Sequence, residues 1–565
     1  MPGFPRDGGV STMTKNPMVP IPPSTPTSTS TVAAPPAPPL SRRLGVLQPL
    51  FSMRSNRGWG LGEIGDLPRF ARWAGKAGLS VLQLLPVNEL TEGETSPYSA
   101  ATAFALDPVY LSLEDAEDFV AARGLASLTK HDRAALERVM AASKVAWGDV
   151  RALKRRALDR AFAHFVEREW RTDSARARAL STFIDERRAW LPDYALFRVQ
   201  HDRLHTAWWD WPRPIAERHE KALEEARAAH APAILQRCWV EWQLHLQWTK
   251  ARAEVHAAGV ALKGDLPFMV AGDSADVWSL PHEFQRNRRV GTPPDAFSAT
   301  GQDWGLPAYD WDVMRENRFR WFEARAARAG SLYDLFRVDH VIGLFRTYSR
   351  SVTDPKDAGF QPADEPEQIA LGNAVLEIFK RHGEVVAEDL GFVPSFLPSA
   401  LARLGVPGYR VLRWEKDYAG PRAGKFHDPA VYPVLSVATT GTHDIEPIAV
   451  WYDALPADEK RALHELPGLR DLQPSTYFTP HVRDALLKSI ASAGSELVIL
   501  PYQDFFGARD RVNVPGTVAP DNWTTRMPVT IEALEQDTDT TARLRRLAVQ
   551  SERVPIRIVE RPQSV

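Results

Sequence analysis

Eight short runs rich in Leu, Val, Ile and Phe recur along the chain, and most of them end in polar or charged residues. They are residues 44–52 (LGVLQPLFS), 79–89 (LSVLQLLPVNE), 260–268 (VALKGDLPF), 332–340 (LYDLFRVDH), 384–391 (EVVAEDLG), 406–417 (VPGYRVLRWEKD), 436–444 (SVATTGTHD) and 496–504 (ELVILPYQD). Helical patterns lie between most of them, such as DLPRFARWAGKAG before the second and DALLKSIASAG before the eighth. Each closes near a Gly, where a helix C-cap is expected. Strands alternating with helices must pair in parallel through crossovers, and eight such strands are the number that closes a barrel. The predicted fold is therefore α/β, a (β/α)8 TIM barrel with large helical and loop insertions. Periodicity alone leaves an open doubly wound sheet as the other arrangement.

Three stretches depart from this rhythm or bound it. Residues 1–40 are dense in Pro, Ser and Thr and poor in large apolar side chains, so they are expected to form a disordered tail. The remainder, 41–565, is expected to be one catalytic barrel domain. Within it, 112–259 is long, rich in Ala, Arg, Glu and Trp and helical in pattern, and reads as an insertion after the second strand. The interval 269–330 is rich in Gly, Pro and aromatics and reads as ordered loops forming an active-site lid.

Bulk properties exclude several classes of function. The 69 basic and 71 acidic residues leave a formal charge of −2, which gives no overall attraction to nucleic acid or to an anionic membrane and suits a neutral substrate. Cys238 is the only cysteine, so no intrachain disulfide can form, and it reads as a small apolar residue within a helix. No apolar run reaches about 18 residues, and the first residues lack the basic-then-apolar pattern of a secretory leader. The expected location is cytoplasmic. Eighteen tryptophans are many, and flat sugar faces stack well on aromatic rings.

Catalytic residues of a barrel stand at the carboxyl ends of its strands. Three such ends carry acids: Asp339 in FRVDH, Glu388 in VVAEDLG and Asp444 in TGTHD, on the fourth, fifth and seventh runs. Retaining glycoside cleavage needs one carboxylate nucleophile and one carboxylic acid donor about 5 to 5.5 Å apart. Arg337 lies two residues before Asp339, on the same face of an extended strand, where it would keep that carboxylate ionised. Glu388 among negative neighbours would hold its proton at neutral pH. Asp389 reads as a helix cap. The bland reading is that each acid simply pairs with Arg or Lys at a barrel rim. A metal site is the other rival, because His340 and His443 flank two of the acids; but a residue adjacent to an Asp on a strand points to the opposite face, and no third ligand stands at a recognisable spacing. The glycines of RGWGLGEIG, 57–65, lack phosphate-loop spacing. No metal and no cofactor are expected.

In this order, FRVDH, VVAEDLG and TGTHD resemble the amylomaltases, the 4-α-glucanotransferases or disproportionating enzymes of glycoside hydrolase family 77, barrel relatives of the α-amylases. Longer segments strengthen the resemblance: SPYSAATAFALDPVYLSL (96–113), LPDYALF (191–197), KGDLPFMVAGDSADVW (263–278), GTPPDAFSATGQDWGLPAYDWD (291–312), FRVDHVIGLFR (336–346) and NVPGT (513–517). It implies Asp339 as nucleophile, Glu388 as general acid/base and Asp444 as a third carboxylate that grips sugar hydroxyls. It further implies that Arg337, His340 and His443 contact the sugar at the cleavage point. Ser96, Tyr98, Asp265, Asp295, Gln302, Trp304 and Asn513 would line donor and acceptor sites, with the 291–312 loop arching over the cleft to exclude water. The implied partners are α-1,4-glucans: maltooligosaccharides and dextrins from starch or glycogen. Ile445 after TGTHD stands where many members of the family place a polar residue, and Ala296 after PPD where some carry an aromatic. An α-amylase-type hydrolase is the alternative within enzymes, and a catalytically silent glucan-binding protein the alternative outside them. Oligomeric state is not legible.

Overall fold

The computed structural model describes residues 42–293, 301–354 and 356–553. The tail expected over 1–40 lies outside the described residues, as does Asp295.

Twelve strands form two sheets: β1 (Arg43–Leu47), β2 (Val81–Gln83), β3 (Ala261–Leu266), β4 (Phe284–Thr292), β5 (Gln302–Tyr309), β6 (Leu335–Val338), β7 (Thr347–Ser351), β8 (Ala358–Gln361), β9 (Glu384–Ala387), β10 (Gly408–Val411), β11 (Ser436–Thr439) and β12 (Leu497–Pro501). The larger sheet is parallel throughout, in the order β10-β11-β12-β1-β2-β3-β6-β9. Seven of its strands fall within the apolar runs, and the eighth, β1, begins one residue before its run, at Arg43. Its two ends meet: the Ala387 N–H donates to the Pro407 carbonyl at 2.9 Å, and the Tyr409 N–H donates to the Asp389 carboxylate at 2.7 Å. Gly408 makes that junction possible, since a Cβ there would sit 2.2 Å from Asp389 Oδ2. Asp389 is thus structural, but as a bridge between β9 and β10 rather than as a helix cap.

These strands are apolar because both of their faces are covered, the outer one by helices. In the helix Leu67–Lys76, residues Leu67, Phe70, Ala71 and Ala74 are buried, the i, i+3, i+4, i+7 stripe that seats a helix on a sheet, and Arg72 and Lys76 face solvent. Between β2 and β3 lie the helices Lys130–Ala141, Trp147–Phe165, Ala175–Glu186, Leu191–Leu204, Glu220–Ala229 and Ala231–Ala257. Buried polar contacts dock them: Tyr194 donates to Glu89, just beyond β2, at 2.5 Å, and Arg328 donates to Glu241 at 2.6 Å. Cys238 is buried in the last of these helices.

The interval read as loops from 269 to 330 is more regular than expected. It contributes β4 and β5, which join β7 and β8 in an antiparallel sheet of order β5-β4-β7-β8, and the helix Arg320–Leu332. The strands were illegible because Arg, Asn, Gly and Pro fill them, as in FQRNRRVGT, and register shifts interrupt their pairing. No helix among the described residues is long and apolar enough to cross a membrane.

Candidate active site

Register brings the acids together. Across the β6–β9 ladder Arg337 faces Val386 and Val338 faces Ala387, so the next residues, Asp339 and Glu388, leave neighbouring strands at one level. The Asp339 N–H still bonds to Leu266 O, and the Glu388 N–H to Val338 O, both at 3.0 Å. On the other side of β6, Asp265 of β3 faces Arg337. Residues paired across a parallel ladder point to the same face, as do residues two apart on one strand. Asp265, Arg337, Asp339 and Glu388 therefore converge.

The buried Arg337 guanidinium ties them. Its Nη1 lies 2.8 Å from Asp265 Oδ1 and 2.8 Å from Asp339 Oδ1, and its Nη2 lies 3.8 Å from Glu388 Oε2. From Asp265 a polar chain continues across the site. Tyr98 donates to Asp265 Oδ2 at 2.8 Å and lies 2.9 Å from His443 Nε2. His443 Nε2 is 3.2 Å from Asp444 Oδ2, and Asn513 Nδ2 donates to Asp444 Oδ1 at 2.6 Å. The Tyr98 and His443 rings stack with centroids 5.3 Å apart, and Trp523 leans on both.

The environments of the acids differ. Burial raises the Glu388 carboxyl to about 7; Arg337 opposes this, Asp339 adds to it, and the N–H groups of Leu390 and His340 moderate it. The sequence-based cause, negative neighbours, is present but second to burial. Asp444 is held well below the usual carboxylate range: partial burial works against its charge but is outweighed by His443 and Asn513. His443 is raised in turn, its burial outweighed by Asp444. The expectation that His443 would point away from its neighbouring acid is thus corrected. Asp444 lies beyond the end of β11, where strand alternation no longer governs direction. His340 also lies beyond its strand, with φ at +42°, and burial lowers it to about 4.

Other anticipated residues occupy the margins. Trp304 of β5 meets His340 edge-on at 5.0 Å and donates to Gln302 Oε1 at 3.1 Å. Ser96 accepts the Tyr98 N–H within its own turn. Ile445 is half-buried against the core.

Sequence reading missed three contributors. Lys263, on β3 two residues before Asp265, is wholly buried and donates to Gln83 at 2.7 Å and Tyr409 at 3.0 Å; a lysine inside an apolar strand was the available signal. Arg511 donates to the Asp444 carbonyl at 2.5 Å and to the Asn513 carbonyl at 2.6 Å, fixing both ends of that bond. Trp523, which buttresses His443, had no local signal. Among the described residues no three His, Cys, Asp or Glu side chains are grouped to hold a metal ion.

Comparison with known proteins gives a consistent result. A family described as 4-alpha-glucanotransferase matches residues 48–531. The 4-alpha-glucanotransferase of Chlamydia pneumoniae is 29% identical over 511 residues, spanning 87% of this chain and 93% of that one. That of Thermus thermophilus is 31% identical over 485 residues, spanning 83% and 92%. A solved structure, the amylomaltase from Streptococcus agalactiae in complex with acarbose, superposes with a TM-score of 0.77 at 25% identity, covering 91% of this chain and 100% of that one.

Proposed function

The chain belongs to the 4-alpha-glucanotransferase family, enzymes that move an α-1,4-glucan segment from a donor to an acceptor, and we propose that Asp339, Glu388 and Asp444 carry that reaction here. The observation that carries the assignment is the contrast between the two acids at the β6 and β9 termini. Asp339 is ion-paired to Arg337 at 2.8 Å, which fixes the direction of the carboxylate that would attack. Glu388 is pushed up to about 7 by burial, so it carries a proton to give near neutral pH.

In the first step an Asp339 oxygen bonds to the anomeric carbon while Glu388 protonates the departing glycosidic oxygen, and that C–O bond breaks. In the second, Glu388, now a carboxylate, takes the proton from the 4-hydroxyl of an acceptor glucan or glucose. The acceptor oxygen bonds to the anomeric carbon and Asp339 is released. Two inversions give net retention. Asp444, anchored by Asn513 and His443, would hold sugar hydroxyls more tightly as the ring flattens toward the oxocarbenium-like transition state. His340, with its proton affinity lowered, would offer a neutral imidazole, and Tyr98, Asp265 and Arg337 hold the floor in place. Gln302 and Trp304 border the cleft from the β4–β5 sheet. We assign Asp295 and Ser96 to substrate on the strength of the resemblance. Covering the glycosyl-enzyme from solvent favours attack by a sugar hydroxyl over water.

The substrate class is the α-glucans, and within it we propose maltooligosaccharides and starch- or glycogen-derived dextrins. A cytoplasmic location fits the single, buried cysteine. Incubation with maltotriose tests the reading. Transfer yields free glucose together with a ladder of longer glucans, whereas exclusively shorter products would replace it with hydrolysis.

A further inference from the structure

The eighth apolar run closes on an acid, Asp504, which lies beyond β12 in the short helix Tyr502–Phe506 and is 1% exposed. Strand β12 pairs with β11. From the end of β11 the chain runs through residues 440–448, which carry His443 and Asp444, into the helix Ile448–Ala454. One carboxylate grips both ends of that segment. Asp504 Oδ2 accepts the Thr440 hydroxyl at 2.5 Å, and Asp504 Oδ1 accepts the Ile448 N–H at 2.9 Å. The second bond also caps the helix, whose own N-cap, Pro447, offers no side-chain acceptor.

Burial raises the Asp504 carboxyl to about 6, against the pull of Thr440, Ile448 and Arg413, so at pH 7 it is mostly charged. A charge this deep is costly unless it is bonded, which holds the two donors to it. The segment between them has little else to rest on. A cavity borders it, lined by Leu47, Gly441, His443, Ile445, Pro501 and Asp504, and side chains facing a cavity lack packing partners on that side. Polar pins take their place. Arg413 donates to Glu446 Oε1 at 2.6 Å and to Glu446 O at 2.8 Å, and Arg511 donates to Asp444 O at 2.5 Å. These hold residues 444–446, and Asp504 holds the two ends.

We propose that Asp504 is a positioning residue for the reaction: by fixing both ends of 440–448 it sets where the Asp444 carboxylate meets the sugar. Asp504 is too deeply buried to touch substrate, so its effect passes through Asp444. The Asp444 side chain is 40% exposed, and an exposed carboxylate keeps one direction only if the backbone beneath it is fixed. This inference rests on the reading of Asp444 as the acid that grips sugar hydroxyls, and it adds to that reading the group that holds Asp444 in place.

The experiment is steady-state kinetics on maltotriose with Asp504→Ala, Asp504→Asn, Asn513→Ala and the double variant Asp504→Ala/Asn513→Ala, each normalised to folded protein by circular dichroism. Asp504→Ala should lose about ten- to a hundredfold in kcat, with KM changed by less than about threefold, because Asp444 holds the transition state more tightly than the substrate. Asp504→Asn, whose amide can accept the Ile448 N–H and donate to the Thr440 oxygen, should recover most of that loss. The double variant separates positioning from general support. If Asp504 and Asn513 both act through Asp444, their separate losses do not multiply. Losses that do multiply, or wild-type kcat in Asp504→Ala, would overturn the inference. Should Asp504→Ala not fold, Thr440→Val removes one of the two bonds at nearly the same shape and is judged by the same criteria, with Thr440→Ser as the variant that restores activity. Wild-type turnover in Asp444→Asn would defeat the reading of Asp444 on which this rests. An inactive Asp444→Asn beside a fully active Asp504→Ala would defeat this inference alone.

Discussion

Asp339 and Glu388 each stand one residue beyond Val338 and Ala387, which face each other across the β6–β9 ladder, and the Glu388 N–H is still bonded to Val338 O at 3.0 Å. Their backbone spacing is therefore set by sheet geometry rather than by a loop. That rigidity holds Asp339 in its 2.8 Å ion pair with Arg337 while the other acid, a strand away, is raised by burial.

Removing either acid should abolish turnover with little effect on the fold. Asp339→Asn leaves Arg337 paired with Asp265, and Glu388→Gln can still accept the backbone N–H of His340 or Leu390. A fall of at least about a thousandfold in kcat is expected for each. An activated donor such as α-glucosyl fluoride, whose leaving group needs no proton, should still load Glu388→Gln but not Asp339→Asn. Equal behaviour of the two variants toward the fluoride would reverse or void the division of roles.

The pH dependence follows from the burial of Glu388. With its pKa raised to about 7, the proton donor is present below that pH and is lost as pH rises through it, so kcat/KM should fall on the alkaline side with an apparent pKa near 7. The same shift has a consequence for stability. A carboxyl raised in the folded state contributes stability below its unfolded pKa and loses it as pH climbs from there to about 7. Glu388→Gln should accordingly gain in Tm relative to wild type between pH 4 and pH 8. A Tm difference that does not move with pH would mean the carboxyl is not raised.

His443 and Asp444 should titrate as a pair. Asp444 lifts His443 above its ordinary value against the pull of burial, so neutralising it in Asp444→Asn should drop the His443 pKa below about 6.5. NMR titration of the ring protons reads this directly. An unchanged or higher value in the variant contradicts the 3.2 Å contact.

Asn513 and Arg511 hold Asp444 from behind. A hydrogen bond to a charged group contributes about 1.5 to 3 kcal/mol, and because the Asp444 side chain is 40% exposed the lower end applies, so Asn513→Ala should lose about tenfold in kcat/KM. Arg511→Lys, which cannot reach two carbonyls with a planar fork, should show a smaller loss of the same kind, with the loss in kcat rather than KM. Full activity in both variants would mean that Asp444 needs no orientation from this loop.

The parallel barrel was legible because strands buried on both faces read as continuous apolar runs, and the acids that end them are conspicuous. The β4–β5 hairpin was not, since Arg286, Asn287, Arg288 and Arg289 carry no alternation and three of the four stay exposed, so the pairing with β7 has no apolar signature. Tyr98, Asp265 and Asn513 came from resemblance alone. Nothing near Asn513 in the chain foretells a bond to a residue 69 positions earlier.

What the sequence determined by itself is local: strand and helix periodicity, the parallel sheet they imply, and the identity of the charged residues at strand ends. What the tertiary structure decided is which of those charges meet and what they feel. Arg337 at the centre of three carboxylates, the raised Glu388 and the polar chain from Asp265 to Asn513 arise from residues far apart in the chain. Proton affinity depends on burial and on charges a few ångströms away through space, and neither quantity is written in the order of the residues.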